Sequence, residues 1–308
     1  RAVQDKLAEW FGIDNRENRW AYTYIYGSEI NFNLGTATKV NMILHGDGST
    51  NIFVRDGLLP FSRYEKETSH NVLHDSHTEP LYSNKEVNER FDLILTNPPF
   101  SVDLDTDTKK TLKKGFLFWG KKNSENLFVE RWYQLLRENG RLAAVLPDSV
   151  FDTSENKYIR LFLFKYFKIK AVVSLPQLTF EPYTSTKTSV LFAQKKTKKE
   201  VQAWNDAWKD ASQEWQLLRT RVSNLIAVHH GKKQKSNLPS IRGLTEEQEL
   251  RIIRRILKPC ITIKDNGLSV SELIDKYQYE LEILCAIDKD VKDIFGHVNT
   301  WWVFGEVA

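Results

Sequence analysis

The residues best suited to chemistry lie between Phe91 and Phe100, FDLILTNPPF. Two acceptors stand side by side there, the side-chain amide oxygen of Asn97 and the carbonyl of Pro98. Pro99 stiffens the turn behind them, and Phe100 presents an aromatic face. Such a set suits a planar exocyclic amine, whose two N–H groups donate to the two oxygens while its ring stacks on the phenyl group. The competing reading is an Asn-Pro turn followed by an aromatic that plugs the core. The apolar run directly before the turn and the phenylalanine directly after it favour the first.

The elements that must position these groups follow from the flanking pattern. Leu93-Ile94-Leu95 reads as a strand buried on both faces, and a Pro-Pro pair cannot continue a sheet. A strand stopped so abruptly delivers Asn97 and Phe100 to the carboxyl edge of its sheet, where open α/β folds keep their ligands. A similar edge is expected after Ala21 to Gly27, an aromatic and β-branched run followed by Ser28-Glu29. A carboxylate just past a parallel strand can accept from both hydroxyls of a ribose; the alternative for Glu29 is a solvated turn residue. Ile30 to His45 reads as a helix. Asn51 to Val54 reads as a short strand leading into Arg55-Asp56.

Several of these stretches, in this order, resemble amino-group methyltransferases that use S-adenosylmethionine. They are NPPF behind a strand, Asn41-Met42-Ile43-Leu44-His45-Gly46 after Glu29, and a helix followed by GRLAAVLP at Gly140 to Pro147. The likeness is to the DNA adenine-N6 branch, in particular the modification (M) subunit of type I restriction-modification systems, and it spans Tyr22 to Gln194. The resemblance implies an α/β, Rossmann-like S-adenosylmethionine-dependent methyltransferase sheet over residues 1–196, its N-terminal part incomplete, followed by an α-helical region over 197–308. It implies catalytic roles for Asn97, Pro98, Pro99 and Phe100. Cofactor contacts fall to Glu29 at the ribose, Asp56 near the adenine, and Asn97. Phe180 and Tyr183 would flank a flipped base opposite Phe100, with loop packing as the alternative for both; for Asp56 the alternative is a turn or helix-capping residue.

The implied reaction is methyl transfer to N6 of adenine in DNA, with DNA and the specificity and restriction subunits of the same system as partners. Phenylalanine rather than tyrosine at position 100 favours DNA over RNA adenine or protein glutamine as acceptor. An inactive scaffold that binds a partner through its helical part is the reading from another class. The family's glycine-rich loop, which cradles the amino-acid end of the cofactor, does not precede Tyr22. Since the chain also opens on Arg1 in place of methionine, we expect a piece cut from a longer protein, with weak or no cofactor binding of its own.

Composition sets the outer bounds. At 308 residues, with 41% hydrophobic and 27% charged residues, about two soluble domains are expected. No apolar run approaches the roughly 20 residues of a membrane span, and the N-terminus lacks a signal-peptide layout, so a cytoplasmic location is expected. The two cysteines, Cys260 and Cys285, make no disulfide framework, and the seven histidines show no ligand spacing, so no metal is expected. A net charge of +4 and a pI near 8.8 permit nucleic-acid binding without demanding it.

Between the motifs, residues 60–88 read as an insertion or surface loop, with no role for His70, His74 or His77. Ser101 to Asn123 reads as a mobile loop that closes over substrate, with Lys109, Lys110, Lys113, Lys114, Lys121 and Lys122 as its basic residues. Ser124 to Asn139 reads as a helix with Phe128, Trp132, Leu135 and Leu136 buried and Gly140 ending it. Further on, Val201, Trp204, Trp208, Ala211, Trp215, Leu218, Val222 and Leu225 alternate three and four apart, a coiled-coil-like seam that needs a helical partner. This region is the candidate for docking the specificity subunit. Capping boxes start helices at Thr245 and Ser269, and the apolar tail Trp301 to Phe304 is expected to be docked.

Overall fold

The computed structural model describes residues 6, 9, 21, 24–46, 51–58, 89–100, 102, 104–113, 115–121 and 123–295. Outside them lie the expected insertion at 60–88 with its three histidines, the tail Trp301 to Phe304, Lys114 and Lys122. So does most of the stretch 1–20, of which Lys6 and Glu9 are described and helical. The chain divides into two compact units, Arg1–Val150 with Ile169–Lys195 and Phe151–Lys168 with Lys196–Ala308.

In the first unit, β1 (Gly27–Glu29) pairs in parallel with β2 (Ile52–Val54), Glu29 opposite Val54. Parallel neighbours need a crossover, and α1 (Phe32–Leu44) supplies it. Its start is written in Asn31, whose Oδ1 accepts from the backbone N–H of Asn33 and Leu34 at 3.0 and 3.1 Å. Gly35 lets the helix approach the strand, since a β-carbon there would lie 2.7 Å from Cγ2 of Val54. The strand expected over Ala21 to Gly27 begins later. Ala21 and Tyr24 are helical, with Ile25 N donating to Ala21 O at 2.9 Å. Ala21 is buried, so the packing of this turn overrides the strand preference of its aromatic neighbours.

A second sheet holds β3 (Phe91–Thr96), β4 (Leu136–Pro147), β5 (Phe167–Ser174) and β6 (Thr188–Lys195) in the spatial order β3-β4-β6-β5. β3 and β4 are parallel, whereas β6 runs antiparallel to β4. The apolar run of β3 is not buried on both faces as expected, because Leu93 and Leu95 are 52% and 71% exposed. Among the described residues β3 is the edge of its sheet, hydrogen-bonded to β4 alone.

Among the described residues two helices separate β3 from β4. The first, α2 (Thr106–Leu112), is capped by Asp105, which accepts from the N–H of Asp107 and of Thr108 at 2.9 Å each. The second, α3 (Ser124–Leu135), stops short of the expected Asn139 because Leu136 already pairs with Phe91 as part of β4. The next partners in register are Leu93 and Arg141, so Arg137 to Gly140 bulge out, with Asn139 at φ 62°. Gly140 is therefore no helix stop. It is required because a β-carbon would sit 3.1 Å from the Phe91 carbonyl oxygen.

α4 (Ser149–Asp152) straddles the boundary between the units, and the second unit is helical among the described residues, with α5 (Lys157–Tyr166), α6 (Lys198–His229), α7 (Glu246–Ile256), α8 (Val270–Lys276), α9 (Gln278–Cys285) and α10 (Lys289–Phe295). A reciprocal capping box between Thr197 and Glu200 starts α6. Every residue of the expected seam from Trp204 to Leu225 is buried, and Val201 is half-buried. Trp204 and Trp208 stack with ring centroids 4.8 Å apart. The seam packs on α5, α7 and α9 of the same unit. Short helices of this chain thus fill it, and the seam is neither a two-stranded coiled coil nor a free docking surface.

Candidate active site

The expected cofactor carboxylates stand at one edge of the two-stranded sheet. Glu29 ends β1, and one of its oxygens accepts from Asn31 N at 2.7 Å, which fixes the carboxylate and leaves its other lone pairs for a ligand. Asp56 follows the end of β2, and its Oδ1 accepts from Leu58 N at 2.9 Å in a tight turn. The hydroxyl of Ser28 donates to Arg55 O at 3.0 Å and ties the two strand ends together.

Asn97 follows β3 directly and is exposed, Pro98 is buried, and Phe100 is half-buried. Among the described residues the Asn97 side chain makes no hydrogen bond, so its amide oxygen is open to a ligand. Phe100 meets Phe180 edge to face, with centroids 6.1 Å apart and planes at 75°. Phe180 reaches this position on the loop between β5 and β6. Asp148, just past β4, holds the far end of that loop: its Oδ1 accepts from Ser189 Oγ at 2.6 Å, and its N–H donates to Lys187 O at 3.0 Å. Tyr183 is 93% exposed, so it neither packs within the loop nor lies against Phe100. A cavity of about 470 Å³ lies elsewhere, lined by Phe32, Val40 and Leu44 along α1. It touches none of the expected site residues.

The sequence did not reveal what anchors the segment after Phe100. Expected as a mobile loop, it contains α2 and buries Leu112, Phe116 and Phe118. The Glu130 carboxylate on α3 accepts from Leu117 N at 2.7 Å and Phe118 N at 3.2 Å. Burial pushes this carboxyl up to about 7, against the pull of those two donors and of the Arg131 guanidinium. Arg131 lies over the Phe116 ring and donates to Leu58 O at 3.1 Å, next to the Asp56 turn. α3 thus buries Ser124, Glu125, Asn126, Glu130 and Arg131 together with Leu127, Val129 and Trp132; of the expected stripe Trp132 and Leu136 are buried, and Phe128 and Leu135 are half-buried. Of the basic residues, Lys110 is exposed and pairs with Asp107, and Lys113 lies over the Trp119 ring.

This first unit is thus an α/β unit with parallel strands whose carboxyl ends carry the acidic and amide groups, the fold class expected of Rossmann-like methyltransferase sheets. Its family is narrower: the family model described as N-6 DNA methylase matches residues 11–240, and the chain belongs to that family. Two curated relatives are methylase subunits of type I restriction enzymes. That of EcoEI from Escherichia coli is 31% identical over 105 residues, 34% of this chain and 21% of the relative. That of MpnII from Mycoplasma pneumoniae is 23% identical over 297 residues, 89% of this chain and 51% of the relative. The chain therefore spans about half or less of the length of these relatives. A solved modification subunit of a type I restriction enzyme from Vibrio vulnificus YJ016 is 23% identical, with a TM-score of 0.42, over 55% of this chain and 32% of that one.

Proposed function

We propose that this chain forms part of the modification subunit of a type I restriction-modification system and transfers a methyl group from S-adenosylmethionine to N6 of adenine in DNA. The observation that carries this is the exposed Asn97 amide beside the Pro98 carbonyl at the end of a strand, with Phe100 against Phe180, in an N-6 DNA methylase. Glu29 and Asp56 fit the nucleoside end of the cofactor, since both are carboxylates at one sheet edge and the Glu29 oxygens are only partly used. When bound, the cofactor supplies an electrophilic methyl group.

The chain's own residues prepare the acceptor. The adenine amine is a poor nucleophile because its lone pair is delocalised into the ring. Asn97 Oδ1 and the Pro98 carbonyl accept its two N–H groups, raise its electron density and fix its orientation, so positioning and electrostatics carry the acceleration. Extruding the base forfeits stacking worth about 1–3 kcal/mol, which Phe100 replaces, with Phe180 edge-on behind it. Pro99 holds the turn, and the exposed Tyr183 is free to meet the base or the strand around it. DNA and the specificity and restriction subunits are the partners in this reading, the helical unit offers the docking region, and the location is cytoplasmic.

Replacing Asn97 with alanine abolishes adenine methylation by the full-length complex, and near-normal turnover by that variant would refute the assignment. Tritiated cofactor offered with DNA, RNA or protein separates the acceptors; transfer to RNA or to protein glutamine in preference to DNA would replace this reading. A scaffold docked through the heptad seam is disfavoured by the burial of that seam.

A further inference from the structure

Two imidazoles and a carboxylate meet where the longest helix ends. His229 is the last residue of α6, His230 is its C-cap, and Asp275 lies on α8. Nε2 of His229 and Oδ1 of Asp275 are 2.7 Å apart, and the two histidine rings have centroids 5.4 Å apart. One ligand atom from each of the three residues lies within 4.8 Å of the other two. Consecutive side chains on a helix diverge by about 100°, so their convergence depends on how α6 terminates. Gly231 sits at φ 68°, its N–H donates to Val228 O at 2.9 Å, and Lys232 N donates to Ala227 O at 2.8 Å. These paired bonds are a Schellman turn, which fixes the backbone under both histidines.

A simple hydrogen bond between His229 and Asp275, clipping α6 to α8, would explain those two residues. It leaves His230 without a reason to stand beside them, and among the described residues the His230 ring makes no hydrogen bond. We propose that His229, His230 and Asp275 form a site for a divalent transition-metal ion of the zinc class. Two neutral imidazole nitrogens with one carboxylate suit zinc and its first-row neighbours, whereas magnesium and calcium want oxygen donors. Bond lengths of about 2.0–2.1 Å place neighbouring ligand atoms ~3.3 Å apart, so the ion replaces the proton shared by His229 and Asp275, that 2.7 Å pair parts slightly, and the exposed His230 swings inward to complete the set. The negative end of the α6 dipole favours the cation. Lys232 and Lys233 oppose it weakly, because both are exposed and solvated.

The test is calorimetry and thermal melting of the whole chain with zinc chloride. Saturable, equimolar binding with a rise in Tm is expected. His230→Ala and Asp275→Asn should each weaken binding by at least about tenfold, and the metal-free Tm of His230→Ala should match that of the parent chain. Absence of saturable binding would overturn the proposal, as would binding that both variants retain, since the ion would then sit elsewhere.

Discussion

The Glu130 carboxyl lets the anchoring of the segment behind Phe100 be weighed. Its ordinary value is 4.5, and burial pushes it up to about 7 in the folded chain. A carboxyl whose folded pKa is raised is protonated in the native state while already ionised in the unfolded one, so the unfolded state binds fewer protons and stability falls as pH rises. The loss begins near pH 4.5, is complete just above pH 7, and amounts to about 3 kcal/mol at about 1.36 kcal/mol per pH unit. Glutamine in its place keeps an oxygen for the N–H of Leu117, gives up the acceptor for that of Phe118 at a cost that does not vary with pH, and removes the titration. In urea melts from pH 4 to 8, the stability of the parent chain relative to Glu130→Gln should therefore fall by about 3 kcal/mol. A difference that stays constant across that range would refute the reasoning, because it would mean that Glu130 is as hydrated in the folded chain as in the unfolded one.

Three further outcomes follow from other contacts. Lys195→Met should destabilise the first unit by about 2–4 kcal/mol in the same melts, because the Lys195 ammonium is buried and donates to Tyr133 O at 2.8 Å and Leu136 O at 2.7 Å. Leu93→Lys with Leu95→Lys should leave the Tm unchanged and reduce light scattering on concentration, since both leucines are exposed on an edge strand; a marked drop in Tm would show that the face is covered. Titration of these 308 residues with S-adenosylmethionine should give only weak heats. In the function proposed above, Glu29 and Asp56 would meet only the nucleoside, and no glycine-rich turn stands beside β3 among the described residues, so a micromolar isotherm would refute this.

What the sequence disclosed was what neighbouring residues decide among themselves. Pro98-Pro99 ends a strand wherever it occurs, and β3 stops at Thr96 for that reason. The boxes at Thr245 and Ser269 are closed by Gln248 and Glu272, three residues on, so both helix starts stood where they were read. The Trp204 to Leu225 seam announced burial by its period, although the period is silent on whether another chain or this one covers it. Apolarity at Leu93 and Leu95 records what a sequence is built to bury, and says nothing of whether the covering element is present. Glu130, Arg131 and His229 were illegible because their partners are 12 to 73 residues away, at Phe118, Leu58 and Asp275.

These distant partners matter because the acidic and amide halves of the site belong to different sheets. Glu29 and Asp56 depend on β1 and β2, Asn97 and Phe100 on β3, and no ladder of backbone hydrogen bonds joins the two sheets among the described residues. An edge-to-face contact between Tyr26 and Phe91, centroids 5.4 Å apart, brings the start of β3 against the residue before β1. At the other end the link is α3, where adjacent residues on the helix reach opposite halves: Arg131 to the segment that follows Asp56, Glu130 to the one that follows Phe100. Helix geometry separates such neighbours by about 100°, enough for one turn of helix to hold both. The cost is a buried carboxylate and guanidinium side by side. Glu130 and Arg131 are buried beside Trp132 of the expected apolar stripe, so the same turn of helix packs the core and ties the two segments together.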